Sequence, residues 1–158
     1  MRKVVILPAE EKTELVAQLF REYARDTLLG IDLRFQGFEE ELAALPGVYA
    51  PPSGRLYLAF LNDEAAGCAA MRKFSEGVCE MKRLYVRPQF RDHGIAESLC
   101  KKIMGDARKI GYTTMVLDTL NTLTAANALY AKLGFREISP YYNNPLAGVR
   151  YLGISFED

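Results

Sequence analysis

The run from Cys79 to Ile110 constrains the fold of this chain more than any other stretch. Cys79-Glu80-Met81-Lys82-Arg83-Leu84-Tyr85-Val86 reads as a strand, from its aromatic and β-branched content and from Pro88 just beyond it, which lacks a donor and closes the ladder. After Arg87-Pro88-Gln89-Phe90, the segment Arg91-Asp92-His93-Gly94-Ile95-Ala96 opens a helix. Ile95, Leu99, Ile103, Ala107 and Ile110 recur every three or four positions, Lys101, Lys102, Arg108 and Lys109 lie off that stripe, and Gly111 is a stop. Gly105 weakens the helix by about 1 kcal/mol relative to Ala.

A helix entered through Arg-x-x-Gly-x-Ala presents unpaired backbone N–H groups, roughly half a positive charge and a nearby guanidinium. Gly94 lets the backbone approach a ligand with no Cβ in the way, and Ala96 does nearly the same, so diphosphate is the natural ligand. Ordinary basic loops share these parts, and the turn alone leaves phosphate binding open. No Gly-x-x-x-x-Gly-Lys and no second or third Gly of a dinucleotide turn is present, which argues against nucleotide hydrolysis and hydride transfer.

The rest of the chain arranges itself around this unit. Val4 to Leu7 reads as a first strand, and the stripe Leu15, Val16, Leu19, Phe20 and Tyr23 as a helix running to about Leu28, with Gly30 as its stop. Phe38, Leu42 and Leu45 suggest a shorter second helix. Arg55 to Leu61, Ala66 to Phe74 and the Cys79 strand are joined by short turns and form an antiparallel meander. Small residues at Ala66, Gly67, Ala69 and Ala70 suit a bulge or a close neighbour. Thr113 to Asp118 returns to the sheet, making a right-handed parallel crossover with the strand and helix before it. Thr122 or Thr124 is placed to cap a helix with the stripe Ala126, Leu129, Tyr130 and Leu133, ended by Gly134. Phe135 to Ile138 and Val149 to Phe156 complete an α+β domain over residues 1–158, with a mixed, mostly antiparallel sheet of six or seven strands and about four helices.

Twenty basic and twenty acidic residues leave no net charge to hold nucleic acid or an anionic membrane, and neither is expected as a partner. Cys68, Cys79 and Cys100 are an odd set without metal-type spacing and read as reduced thiols, which points to the cytoplasm. No apolar run reaches membrane length, and the amino end has too short a run for a signal peptide. With one histidine, His93, multi-histidine metal sites are excluded.

The strand, Arg91-x-x-Gly94-x-Ala96 with its helix, then Leu117-Asp118-Thr119, then Ala126-x-x-Leu129-Tyr130-x-x-Leu133-Gly134-Phe135, resemble the GNAT superfamily of N-acetyltransferases. The resemblance is strongest from about Leu56 to Phe135, extends over nearly the whole chain, and implies acetyl-CoA as acetyl donor and the primary amine of a small molecule as acceptor. It places the cofactor diphosphate at Arg91, Asp92, His93, Gly94, Ile95 and Ala96, and its amide-containing arm along Leu84, Tyr85 and Val86. Members usually carry Gly where this chain has Asp92, often Gly at Ala96, and many have Asn at Leu123; Asn121 or Asn127 stands in for that contact, or the contact is absent. A homodimer is compatible with the resemblance.

An alkyl amine with a pKa of about 10.4 is almost wholly protonated at pH 7, so a base must take its proton, and the thiolate that leaves benefits from an acid. By resemblance Glu80 is the general base and Tyr130 the general acid. From the residues alone, Glu80 equally suits an ion pair with Lys82, Arg83 or a neighbouring strand, and Tyr130 suits the core. Phe35, Arg83, Tyr141 and Tyr142 are candidate acceptor contacts; Arg83, or Arg34, would hold a substrate carboxylate. The alternative is a module of the same fold that binds CoA or a metabolite without turnover.

Overall fold

The computed structural model describes residues 3–27 and 37–156. Seven strands form one mixed sheet: β1 (Val4–Pro8), β2 (Arg55–Leu61), β3 (Glu64–Ser75), β4 (Val78–Val86), β5 (Thr114–Leu120), β6 (Arg136–Glu137) and β7 (Val149–Ser155), in the order β1-β2-β3-β4-β5-β7-β6. Every neighbouring pair is antiparallel except β4 with β5. Among the described residues four α-helices accompany it: α1 (Thr13–Glu22), α2 (Phe38–Ala43), α3 (Ile95–Ile110) and α4 (Thr124–Leu133).

Strand alternation sorts the apolar residues into two layers, because successive side chains point to opposite faces. On one face Tyr57, Ala59, Met71, Cys79, Met81 and Met115 meet Ile95, Leu99, Ile103 and Ala107 of α3 and Tyr130 of α4. On the other, Leu56, Leu58, Cys68, Ala70 and Tyr85 meet Val16, Leu19 and Phe20 of α1 and Phe38 and Leu42 of α2. The α3 stripe is thus the buried one, and each of its large aliphatics contributes about 1.5–3 kcal/mol.

The hairpin between β2 and β3 turns on Asn62 and Asp63, both at positive φ, the backbone a tight two-residue turn requires. α1 ends at Glu22 and passes into a π-helical turn over Tyr23–Thr27; Leu28 and Gly30, the expected end, lie outside the described residues. The expected cap of α4 is corrected. Leu123 is the N-cap, and neither Thr122 nor Thr124 supplies a side-chain cap.

Two features of β4 shape its surroundings. Its parallel pairing with β5 lasts for only three residue pairs, Val78↔Thr114, Cys79↔Met115 and Glu80↔Val116, while β5 goes on pairing with β7 to Leu120↔Val149. From Met81 onward β4 is therefore bonded to β3 alone, and a wedge opens between β4 and β5. In addition, Cys68 faces Tyr85 but Ala70 faces Lys82, so Arg83 and Leu84 together oppose Ala69. This bulge puts Arg83 at φ 62, a strained conformation for a residue with a Cβ. It also shifts the strand's phase: Met81 and Leu84 share the α3 face, whereas Lys82 and Arg83 are both on the α2 side. The small residues of β3 make room, since Gly67 lies so close to β4 that a Cβ there would sit 2.5 Å from the Tyr85 carbonyl oxygen.

Candidate active site

The wedge between β4 and β5 is the mouth of a cleft of about 610 Å³. Its walls are β4 from Met81 to Val86, the turn and first residues of α3 (Arg91, Asp92, Gly94, Ile95, Ala96, Glu97), Asp118 and Thr119 of β5, and the start of α4 with Leu129 and Tyr130. Gly94 is the N-cap of α3 at φ 74, a backbone that favours glycine, and nothing lies within 4 Å of where its Cβ would be. The first intrahelical bond there is Ser98 N–H to the Gly94 carbonyl at 3.0 Å, and no side chain caps the amides before it. α4 also begins without a side-chain cap on the same cleft. Two helix N-termini with open N–H groups and aligned dipoles therefore face one space, which suits an anion.

Asp92, at φ 67, takes the left-handed conformation that the departure from Gly demanded, and it is exposed at the cleft wall. Arg91 is exposed and its Nε donates to the Val86 carbonyl at 3.1 Å. Leu84, Tyr85 and Val86 all line the cleft, with the Tyr85 hydroxyl donating to Asp26 at 2.9 Å. His93 does not line it, and neither do Asn121 and Asn127. The Asn127 amide is spent on the Leu120 carbonyl at 2.9 Å, its Oδ1 is buried without a hydrogen-bond partner among the described residues, and the Asn121 side chain lies against Gly148.

Tyr130 packs edge-on against Phe135 and its ring is buried, yet it lines the cleft, and its hydroxyl has no hydrogen-bond partner among the described residues. Burial pushes its pKa well above that of a free phenol, so it keeps its proton. The thiols are unsuited to act as nucleophiles, since burial pushes Cys79 and Cys100 up to about 12.

A second cavity of about 500 Å³ lies on the α2 side of the sheet, lined by Glu40, Glu41, Tyr49, Arg72, Phe74, Glu80, Lys82 and Tyr142 among others. Glu80 is 2% exposed and both its oxygens are engaged: Oε1 accepts from Arg72 Nε at 2.8 Å and Oε2 from the Tyr141 hydroxyl at 2.6 Å. Its ion-pair partner is thus Arg72, directly opposite on β3, and not Lys82 or Arg83. Arg83 is buried and its guanidinium lies over the Phe38 ring, making a bidentate pair with Glu41. Tyr141 stacks edge-on with Phe74 and Tyr151 and lines neither cavity; Tyr142 lines the second cavity and donates to Asp118. Asn144 also donates to the same Asp118 oxygen, at 2.8 Å. Phe35 and Arg34 lie outside the described residues. Two charged residues that were not among the candidate site residues line the cavities, Asp118 the first and Lys82 both; the available signals were the place of Asp118 in the Leu117-Asp118-Thr119 motif and a charge within a strand run at Lys82.

Residues 13–135 match the model of the acetyltransferase (GNAT) family. An uncharacterized N-acetyltransferase of Schizosaccharomyces pombe is 44% identical over 138 residues, 85% of this chain and 82% of that protein. Another from Dictyostelium discoideum is 32% identical over 203 residues, 90% of this chain and 93% of that one. Similarity also extends to human N-acetylaspartate synthetase, 33% identical over 100 residues, 63% of this chain and 33% of that protein. A GNAT-family acetyltransferase structure from Staphylococcus aureus superposes with a TM-score of 0.81 at 18% identity over 98% of this chain and all of that one. One from Elizabethkingia anophelis with acetyl-CoA bound gives 0.70 at 23% identity over 97% and 98%. These two likenesses speak to the fold. The chain belongs to the acetyltransferase (GNAT) family and is an acetyltransferase.

Proposed function

We propose that the cleft binds acetyl-CoA and that the protein passes its acetyl group to the amine of a small molecule by direct attack on the thioester. One observation carries this reading: the unpaired edge of β4, the uncapped start of α3 and the Tyr130 hydroxyl converge on a single cleft. The open amides at Ile95, Ala96 and Glu97 supply donors for a diphosphate, and the free edge of β4 offers backbone groups to an amide-containing arm. The Elizabethkingia likeness, solved with acetyl-CoA, supports the same donor, and the similarity to N-acetylaspartate synthetase supports a small-molecule acceptor.

In the transfer the acceptor loses a proton to Glu80, which lies at the end of the β4–β5 pairing and retains lone pairs beyond those used by Arg72 and Tyr141. The C–N bond forms as the C–S bond breaks, and Tyr130 gives its proton to the departing thiolate. Backbone N–H groups at the bulge are suited to the charge that develops on the thioester oxygen. A covalent acetyl-cysteine is disfavoured, because the three thiols are buried.

Calorimetric titration with acetyl-CoA tests this reading on the wild type and on Gly94→Trp, whose side chain would project into the cleft. Binding by the wild type and loss in the variant are expected. Acetyl-CoA bound equally by both proteins would refute the site. Free-thiol assays over amine panels, with Glu80→Gln and Tyr130→Phe as slow controls, then test the chemistry; binding with no turnover of any amine would refute a small-molecule amine as acceptor.

A further inference from the structure

Lys82 is the one described residue that lines both cavities. Two of the carboxylates around it are in ion pairs, Glu80 with Arg72 and Glu41 with Arg83, while Asp118 accepts hydrogen bonds from the neutral Tyr142 and Asn144. Lys82 itself makes no hydrogen bond or ion pair with any described residue. Regular alternation from Glu80 puts Lys82 on this side, and the β4 bulge turns Arg83 to the same side; Arg83 is engaged by Glu41, and the Lys82 side chain is left at the junction. A half-buried ammonium with no hydrogen bond or ion pair among the described residues is available to the counter-charge of a ligand.

We propose that Lys82 anchors a carboxylate of the acceptor, so that the substrate is an amino acid or a close amino-carboxylate, seated at the junction of the two cavities with its amine toward the donor cleft. This rests on the acetyl-CoA reading of that cleft. Glu80 and Lys82 project from the same face of β4 two residues apart, so base and anchor have the spacing of an amine and a carboxylate on one small molecule. Burial, and after it Arg83, lowers the Lys82 pKa in the free protein against the opposing carboxylates of Glu80, Glu41 and Asp118, and a bound carboxylate would raise it. A compact ammonium suits this role, since it binds as a point charge and does not require the bidentate geometry that Arg83 has given to Glu41.

The test compares proteinogenic amino acids with their carboxamides as acceptors, in a free-thiol assay with wild type, Lys82→Met and Lys82→Arg. The wild type should favour the acids in kcat/KM, and Lys82→Met should cut the acid-to-amide ratio by about tenfold or more, the size of one charge-assisted contact, mainly through KM. Lys82→Arg should restore part of the ratio. A ratio unchanged in Lys82→Met, or a wild type that prefers the amides, overturns the proposal while leaving acetyl-CoA binding intact. Should no amine turn over, titration of N-acetylated amino acids and their amides into the CoA-loaded protein reads the same contact. Equal affinity for acid and amide, or equal affinity in wild type and Lys82→Met, overturns it there.

Discussion

Arg83 and Glu41 form a bidentate ion pair, Nε to Oε2 and Nη2 to Oε1, each at 3.0 Å, that ties the bulge of β4 to α2. The side chain of Arg83 is 2% exposed and that of Glu41 14%, so neither charge has ready access to water if the other is removed. Glu41→Ala should therefore cost about 3–5 kcal/mol, well beyond a surface pair, and chemical denaturation measures it. The same variant should weaken acceptor binding more than acetyl-CoA binding, because α2 walls the second cavity and does not reach the first.

Gly67→Ala tests the close approach of β3 to the bulge. The new methyl would lie 2.5 Å from the Tyr85 carbonyl, which is backbone and cannot swing away. A loss of about 1–3 kcal/mol in unfolding free energy is expected, read by urea titration. A change below 0.5 kcal/mol, roughly the scale of a neutral surface substitution, would mean that the strands separate freely there.

Tyr130→Phe separates chemistry from packing. The hydroxyl has no hydrogen-bond partner among the described residues, so its removal should leave the unfolding midpoint nearly unchanged, while kcat should drop about 10²–10⁴-fold if it is the acid. Because burial raises its pKa, the wild-type rate should show no alkaline fall from Tyr130 in the range where a free phenol ionises.

Glu22 provides a pH prediction. It accepts two hydrogen bonds from Arg87, at 2.8 and 2.9 Å, and that contact lowers its pKa below the ordinary 4.5. A carboxyl depressed in the folded state adds stability that is present above pH 4.5 and is lost as pH falls below it. Glu22→Gln should destabilise the protein at neutral pH and flatten the acid limb of its stability curve. A limb unchanged in slope would show that Glu22 takes no part in acid unfolding.

Sequence determined the parts whose causes are local. The α3 stripe, its Gly111 stop, the entry through Gly94 and the three-strand meander are written in spacing and turn residues a few positions apart, and the structure contains them. The family motifs placed Gly94, Ala96, Leu84 and Tyr130 on what proves to be one cleft. Tertiary structure decided what depends on distant partners: β7 inserting between β5 and β6, the β4–β5 ladder ending after three pairs, and the bulge that gives Arg83 to Glu41. It also gave Glu80 its partners, Arg72 eight residues before it and Tyr141 sixty-one after it. A residue's type and period say which face it prefers, but the pairing of buried charges is settled by strand register and by the energy of leaving any one of them unmatched. For that reason the glycine turn into α3 could be read from the chain, whereas the place of Lys82 between the two cavities, with no hydrogen bond or ion pair among the described residues, emerged only from the tertiary structure.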